Sequence, residues 1–150
     1  MIYMRKVIGY AHQNNSQTHI TAKHSNLMLV VDDDPEVREK FSDMNKTHRD
    51  IKFSTVGDMK TAIRLLRSEE FSVILLDGTL KQNNDTNHGQ LLGDGIRNSR
   101  FGDVNKNTPI INISSVYDNT RAVLKINKYR LGAELPNIIK VLNDARRIES

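Results

Sequence analysis

The stretch that most constrains this chain is Ser72-Val73-Ile74-Leu75-Leu76-Asp77-Gly78. Four apolar residues in a row lead directly into a carboxylate and a glycine. A short apolar run without alternation is the pattern of a strand covered on both faces, as in a parallel sheet. A carboxylate at the end of such a strand lies at the carboxyl edge of the sheet, where open α/β folds bind their ligands. Asp-Gly is also a common turn opener, so Asp77 alone leaves two readings open.

A second acidic strand end shifts the balance. Leu27-Met28-Leu29-Val30-Val31 is another apolar run, and it ends in Asp32-Asp33-Asp34-Pro35. This predicts a buried strand followed by a helix, with an Asp as N-cap and Pro in the first turn. Val37, Phe41 and Met44 recur at helical spacing and form the core face of that helix. Ile51–Val56 alternates and predicts a strand. Asp58 can cap a helix running to about Ser68, with Met59, Ala62, Ile63, Leu65 and Leu66 as its apolar stripe. After Val73–Leu76 comes a polar, Asn-rich insertion, Lys81–His88. A helix over about Gly89–Ser99 follows, with Leu91, Leu92 and Ile96 inward and weakened by Gly93 and Gly95. Phe101–Asn107 reads as loop, and Pro109-Ile110-Ile111-Asn112-Ile113 as a strand ending in Ser114-Ser115. Strands alternating with helices imply βαβ units and a doubly wound parallel sheet with helices on both faces.

Length and charge bound the function. One domain is the expectation for 150 residues. Without Cys there is no disulfide framework and no thiolate chemistry. No apolar run is long enough to span a membrane and none resembles a signal peptide, so a soluble, cytoplasmic protein is expected. The net charge is +4, but Arg5, Lys6 and Lys23 with no acid in residues 1–26 account for +3, leaving about +1 for the remainder. A nucleic-acid binder would carry a basic stripe or cluster, so neither nucleic acid nor membrane is an expected partner. Residues 1–26 form an N-terminal extension. Met1–Ala11 is somewhat apolar, and His12–Asn26 reads as a polar linker whose His12, His19 and His24 are irregularly spaced, as in a solvated tail. Residues 27–150 form the domain.

Three strand ends carry polar groups: Asp32 with Asp33, Asp77, and Ser114. In a parallel sheet they share one edge. Crowded carboxylates repel, and the arrangement persists best around a hard cation. Oxygen ligands favour Mg2+, which keeps waters and leaves room for a phosphoryl group. An Asp carboxylate can itself be the nucleophile and form an aspartyl-phosphate.

These segments, in this order, resemble the receiver domain of two-component response regulators. Leu29–Pro35, Val73–Asp77 and Pro109–Ser115 carry the likeness, supported by Thr55–Ala62, and it extends over about residues 27–146. The resemblance implies five parallel strands in the order 2-1-3-4-5 alternating with five helices. It implies that Asp77 is the phosphoacceptor, that Asp32, Asp33, Asp77 and the backbone carbonyl of Thr79 hold Mg2+, and that Ser114 is the hydroxyl that moves toward the phosphoryl group. The implied donor is a phosphohistidine on a sensor histidine kinase or phosphotransfer protein, and the output is contact with a downstream protein. Such a domain is a signalling module and not an enzyme, beyond handling its own phosphoryl group.

Departures from the family pattern are visible. Lys81 stands where the family usually has Pro, and the loop after Asp77 is longer. Asn127-Lys128-Tyr129-Arg130-Leu131 resembles the family's Lys-Pro-Tyr-Arg-Leu segment without its Pro, making Lys128 the phosphoryl-binding lysine and Ala122–Ile126 strand five. Few residues then remain between Ser114 and Lys128 for a fourth helix, which would be shortened or lost. In the rival alignment Asn119–Leu131 is a full helix, strand five is Glu134–Asn137, and Lys140 is the substitute. Two further functions stay open. One is a degenerate receiver that binds partners without phosphorylation. The other is a haloacid-dehalogenase-like phosphatase suggested by Asp77-Gly78-Thr79-Leu80, although Leu75 would stand where that family has its nucleophile.

Overall fold

The computed structural model describes residues 26–81, 88–113, 124–134 and 136. The segments in chain order are β1 (Leu27–Val31), α1 (Pro35–Met44), β2 (Lys52–Val56), α2 (Met59–Ser68), β3 (Val73–Leu76), α3 (His88–Arg97) and β4 (Ile110–Asn112). β5 (Leu124–Lys125) and a 3-10 turn at Lys128–Arg130 follow. All pairings are parallel, in the order β2-β1-β3-β4, and the two residues of β5 extend the sheet beside β4.

The sheet separates two apolar clusters, and strand alternation sorts residues between them. Met28, Val30, Val73, Leu75 and Ile111 pack with Val37 and Phe41 of α1. Leu29, Val31, Ile74, Leu76 and Ile110 pack with Ala62 and Leu66 of α2 and Leu92 and Ile96 of α3. With side chains on successive residues pointing to opposite faces, every residue from Met28 to Val31 and from Val73 to Leu76 is buried, and no polar alternation survives in the sequence.

Both predicted caps are present. Asp34 is the N-cap of α1, its carboxylate accepting from the Glu36 N–H at 2.9 Å, with Pro35 first in the helix. Asp58 caps α2 by accepting from the Thr61 N–H at 2.8 Å. The hydrogen bonds of Asp58 hold its carboxyl below the usual carboxylate range, that from the Thr61 N–H being the strongest cause. The edge strand β2 is tied back to the end of α1, because Asn45 accepts from the Phe53 N–H at 2.7 Å and donates to its carbonyl at 3.0 Å.

The chain around Lys128 follows the first of the two alignments. Leu124–Lys125 pair with Ile111–Asn112, and the Ile126 N–H donates to the Asn112 carbonyl at 2.7 Å. A single helix over Asn119–Leu131 is therefore excluded. His88, expected to close the Lys81–His88 insertion, instead opens α3. The expectations for residues 1–25, for 82–87 of that insertion, for Ser114, for the segment of the fourth helix and for Lys140 lie outside the described residues.

Candidate functional site at the carboxyl edge

Register alone brings the acidic residues together. Val31 is level with both Val56 and Leu76, and Leu76 is level with Asn112. The ladder continues one residue past each strand: the Asp32 N–H donates to the Val56 carbonyl at 3.1 Å, and the Asp77 N–H to the Val31 carbonyl at 2.9 Å. Asp32 and Asp77 thus stand side by side. Both also continue the alternation of Val30 and Leu75, so both side chains leave on the face that α1 covers.

Each of these carboxylates uses one oxygen in its own turn. Asp32 Oδ1 accepts from the Asp34 N–H at 2.8 Å. Asp77 Oδ1 accepts from the Thr79 N–H at 2.9 Å and from the Thr79 hydroxyl at 2.8 Å. The other oxygens, Asp32 Oδ2 and Asp77 Oδ2, are buried and accept no hydrogen bond. Lys128 Nζ lies 3.7 Å from each of them. That separation is an ion pair and too long for a good hydrogen bond. Asp33 is half-buried beside them, and one oxygen from each of Asp32, Asp33 and Asp77 falls within 4.8 Å of the others.

Burial dominates the electrostatics. It pushes the Asp32 carboxyl up to about 6, against the opposing Asp34 N–H and Lys128, with the charges of Asp77 and Asp33 adding to the rise. Asp33 is raised for the same first reason, then by the charge of Asp77. Three carboxylates share one lysine, so the site carries an excess of negative charge that a second cation would relieve. Buried oxygens without hydrogen bonds, and donors that are all carboxylate, suit a hard divalent ion such as Mg2+.

Two neighbours of the site were not singled out in the sequence. Arg38, one turn into α1, donates from Nη1 to the Asp32 carbonyl at 2.8 Å. Residue 57 is glycine, and a Cβ there would lie 2.6 Å from that nitrogen, so the guanidinium would have to shift to admit a side chain. Gly89 seats the start of α3 on the loop after β3, since a Cβ there would collide with the Asp77 carbonyl and lie 2.7 Å from that of Gly78. An arginine on a helix and a glycine at a helix start are too common in sequences to stand out before their partners are known. Leu75, where a dehalogenase-like nucleophile would have to be, is fully buried in the apolar core.

No protein-family model matches the sequence, and no curated protein matches it. Solved structures do match. The response regulator TrrA from Thermotoga maritima, in complex with Mg2+ and BeF, is 20% identical, with 79% of this chain and 99% of that chain covered and a TM-score of 0.61. A Francisella response regulator receiver domain is 17% identical over 84% of this chain and 100% of that one, with a TM-score of 0.58. A Burkholderia pseudomallei response regulator with a phosphorylated aspartic acid and a calcium ion is 17% identical over 83% and 71% of the two chains, with a TM-score of 0.57. The chain has the receiver-domain fold. Its sheet order and the helices between its strands are those of this doubly wound architecture. No helix among the described residues is long and apolar enough to cross a membrane.

Proposed function

We propose that this chain is a response regulator receiver that accepts a phosphoryl group from a phosphohistidine onto Asp77. The observation that carries the reading is the free oxygen of Asp77. Its partner oxygen is tied to Thr79, while Oδ2 faces Lys128 without a hydrogen bond. In the reaction, Asp77 Oδ2 bonds to phosphorus as the phosphorus–nitrogen bond to the donor breaks; that electron pair stays on the imidazole nitrogen, and a donor ring protonated on its other nitrogen leaves as neutral imidazole. Lys128 offsets the charge gathering on the phosphoryl oxygens. Asp32 and Asp33 would hold Mg2+ with Asp77 and the Thr79 carbonyl, and the bound ion would supply further neutralisation and alignment of those oxygens. Arg38 keeps the Asp32 turn in place from behind. Ser114 completes the reading as the hydroxyl that follows the phosphoryl group. Two solved structures of this fold, one with Mg2+ and BeF and one with a phosphorylated aspartic acid, support it.

The output would be a change in which downstream protein the domain contacts, in the cytoplasm. The test is incubation with a small acyl phosphate and Mg2+, followed by intact-mass measurement. One added phosphoryl group is expected, lost in Asp77→Asn and after chelation of the metal. No added mass in the folded protein would reject phosphotransfer and leave a phosphorylation-independent interaction module.

A further inference from the structure

We infer that the outer face of α2 is a docking groove for an acidic segment of a partner protein that carries an apolar anchor. Met59, Lys60, Ile63, Arg64, Arg67 and His88 line a groove of about 600 Å³ between the exposed face of α2 and the start of α3. Lys60, Arg64 and Arg67 are exposed and recur at steps of four and three, so they form one stripe along the helix.

Three observations point to an acidic occupant. No Asp or Glu occurs from Met59 to Ser68; acids stand only at the ends, as Asp58 and Glu69-Glu70. Neighbouring like charges lower helix stability, and Arg64 and Arg67 form no ion pair among the described residues. The charge is also concentrated, because the chain beyond residue 26 carries a net charge of only about +1.

The floor of the groove decides the class of partner. Met59 and Ile63 are only partly buried and lie one helical turn apart between the cations. A phosphate backbone gains nothing from them. A peptide helix with Asp or Glu flanking a Leu or Ile would fill the floor and pair with the stripe. Methionine adapts to anchors of different shape. The groove also adjoins the site: His88 lines it, and the next residue, Gly89, packs on the Asp77 and Gly78 carbonyls. The inference stands whether or not Asp77 is phosphorylated.

The test titrates the full 15N-labelled chain with three probes at physiological salt: a synthetic helical peptide of Glu with Leu at every third or fourth position, the same peptide with Ser for Leu, and a polyuridylate RNA. Backbone shifts confined to the amides of 59–67 and 88 are expected for the Leu peptide alone. Its affinity should fall about tenfold or more in Arg64→Glu/Arg67→Glu and several-fold in Met59→Gln, while Lys46→Glu at the end of α1 binds as wild type. Circular dichroism confirms that each variant is folded. Equal binding of the Ser peptide, tighter binding of RNA, shifts elsewhere, an unchanged double variant or an equal loss in Lys46→Glu would each overturn the inference.

Discussion

At the amino edge of the sheet, Asn105 is buried and every hydrogen-bonding position of its amide is filled. It accepts from the Phe71 N–H at 3.0 Å and the Thr108 hydroxyl at 3.1 Å, and donates to the Leu66 carbonyl at 2.9 Å and that of Glu69 at 2.7 Å. At the carboxyl edge, Asp32 and Asp77 are as deeply buried, yet each keeps an oxygen with no hydrogen bond. One buried polar group joins the end of α2, the start of β3 and the loop before β4. The others repel one another around a single lysine. Satisfied buried polar groups stabilise a fold, and unsatisfied ones are tolerated where a ligand completes them. The contrast separates an end of the sheet closed by its own hydrogen bonds from an end whose carboxylates a cation would complete.

Four experiments break or sharpen that contrast. On the proposed reading, Asp77→Asn should have the largest effect, abolishing phosphoryl uptake by intact mass. The same change should raise unfolding free energy in metal-free buffer by about 1 kcal/mol, because one of three crowded charges is gone. A loss of stability instead would mean the carboxylates are not strained. Asn105→Leu should lower stability by about 3–5 kcal/mol in urea unfolding, since the Phe71 N–H and two carbonyls lose their partner without access to water. A change near zero would show that the amino edge is no anchor.

Lys128→Met should lower stability by about 2 kcal/mol without metal and by less with Mg2+, which would take over part of the lost charge. An equal loss in both conditions would separate the lysine from the cation site. The last effect is on pH. Asp32 titrates near 6 in the folded chain against 3.8 unfolded. The native state therefore binds the extra proton between those values, and the metal-free protein loses stability as pH rises through them. Protons compete with a cation for the same oxygens, so Mg2+ affinity should climb about tenfold from pH 5 to pH 7. A flat profile by calorimetric titration would remove Asp32 from the ligand set.

Much of the fold and part of the site were legible in the sequence. Uninterrupted runs such as Leu27–Val31 and Val73–Leu76 announce strands covered on both sides, and Asp34 and Asp58 announce helix starts, because these signals depend on neighbours along the chain. The likeness to receiver domains followed from the same segments in order. Arg38, Gly57, Gly89 and Asn105 went unremarked because their partners lie elsewhere in the chain: the Asp32 carbonyl for Arg38, Arg38 itself for Gly57, the Asp77 and Gly78 carbonyls for Gly89, and Leu66, Glu69 and Phe71 for Asn105.

The chain order of apolar runs, caps and acidic strand ends already determined a parallel α/β domain with carboxylates on one edge. Only the tertiary structure decided that Lys128 meets Asp32 and Asp77, since the segment between β4 and β5 admits two alignments with similar local patterns. Local periodicity cannot rank those alignments. Pairing of Leu124–Lys125 with β4 can, because hydrogen bonding to a neighbouring strand sets where the following turn, and its lysine, must emerge.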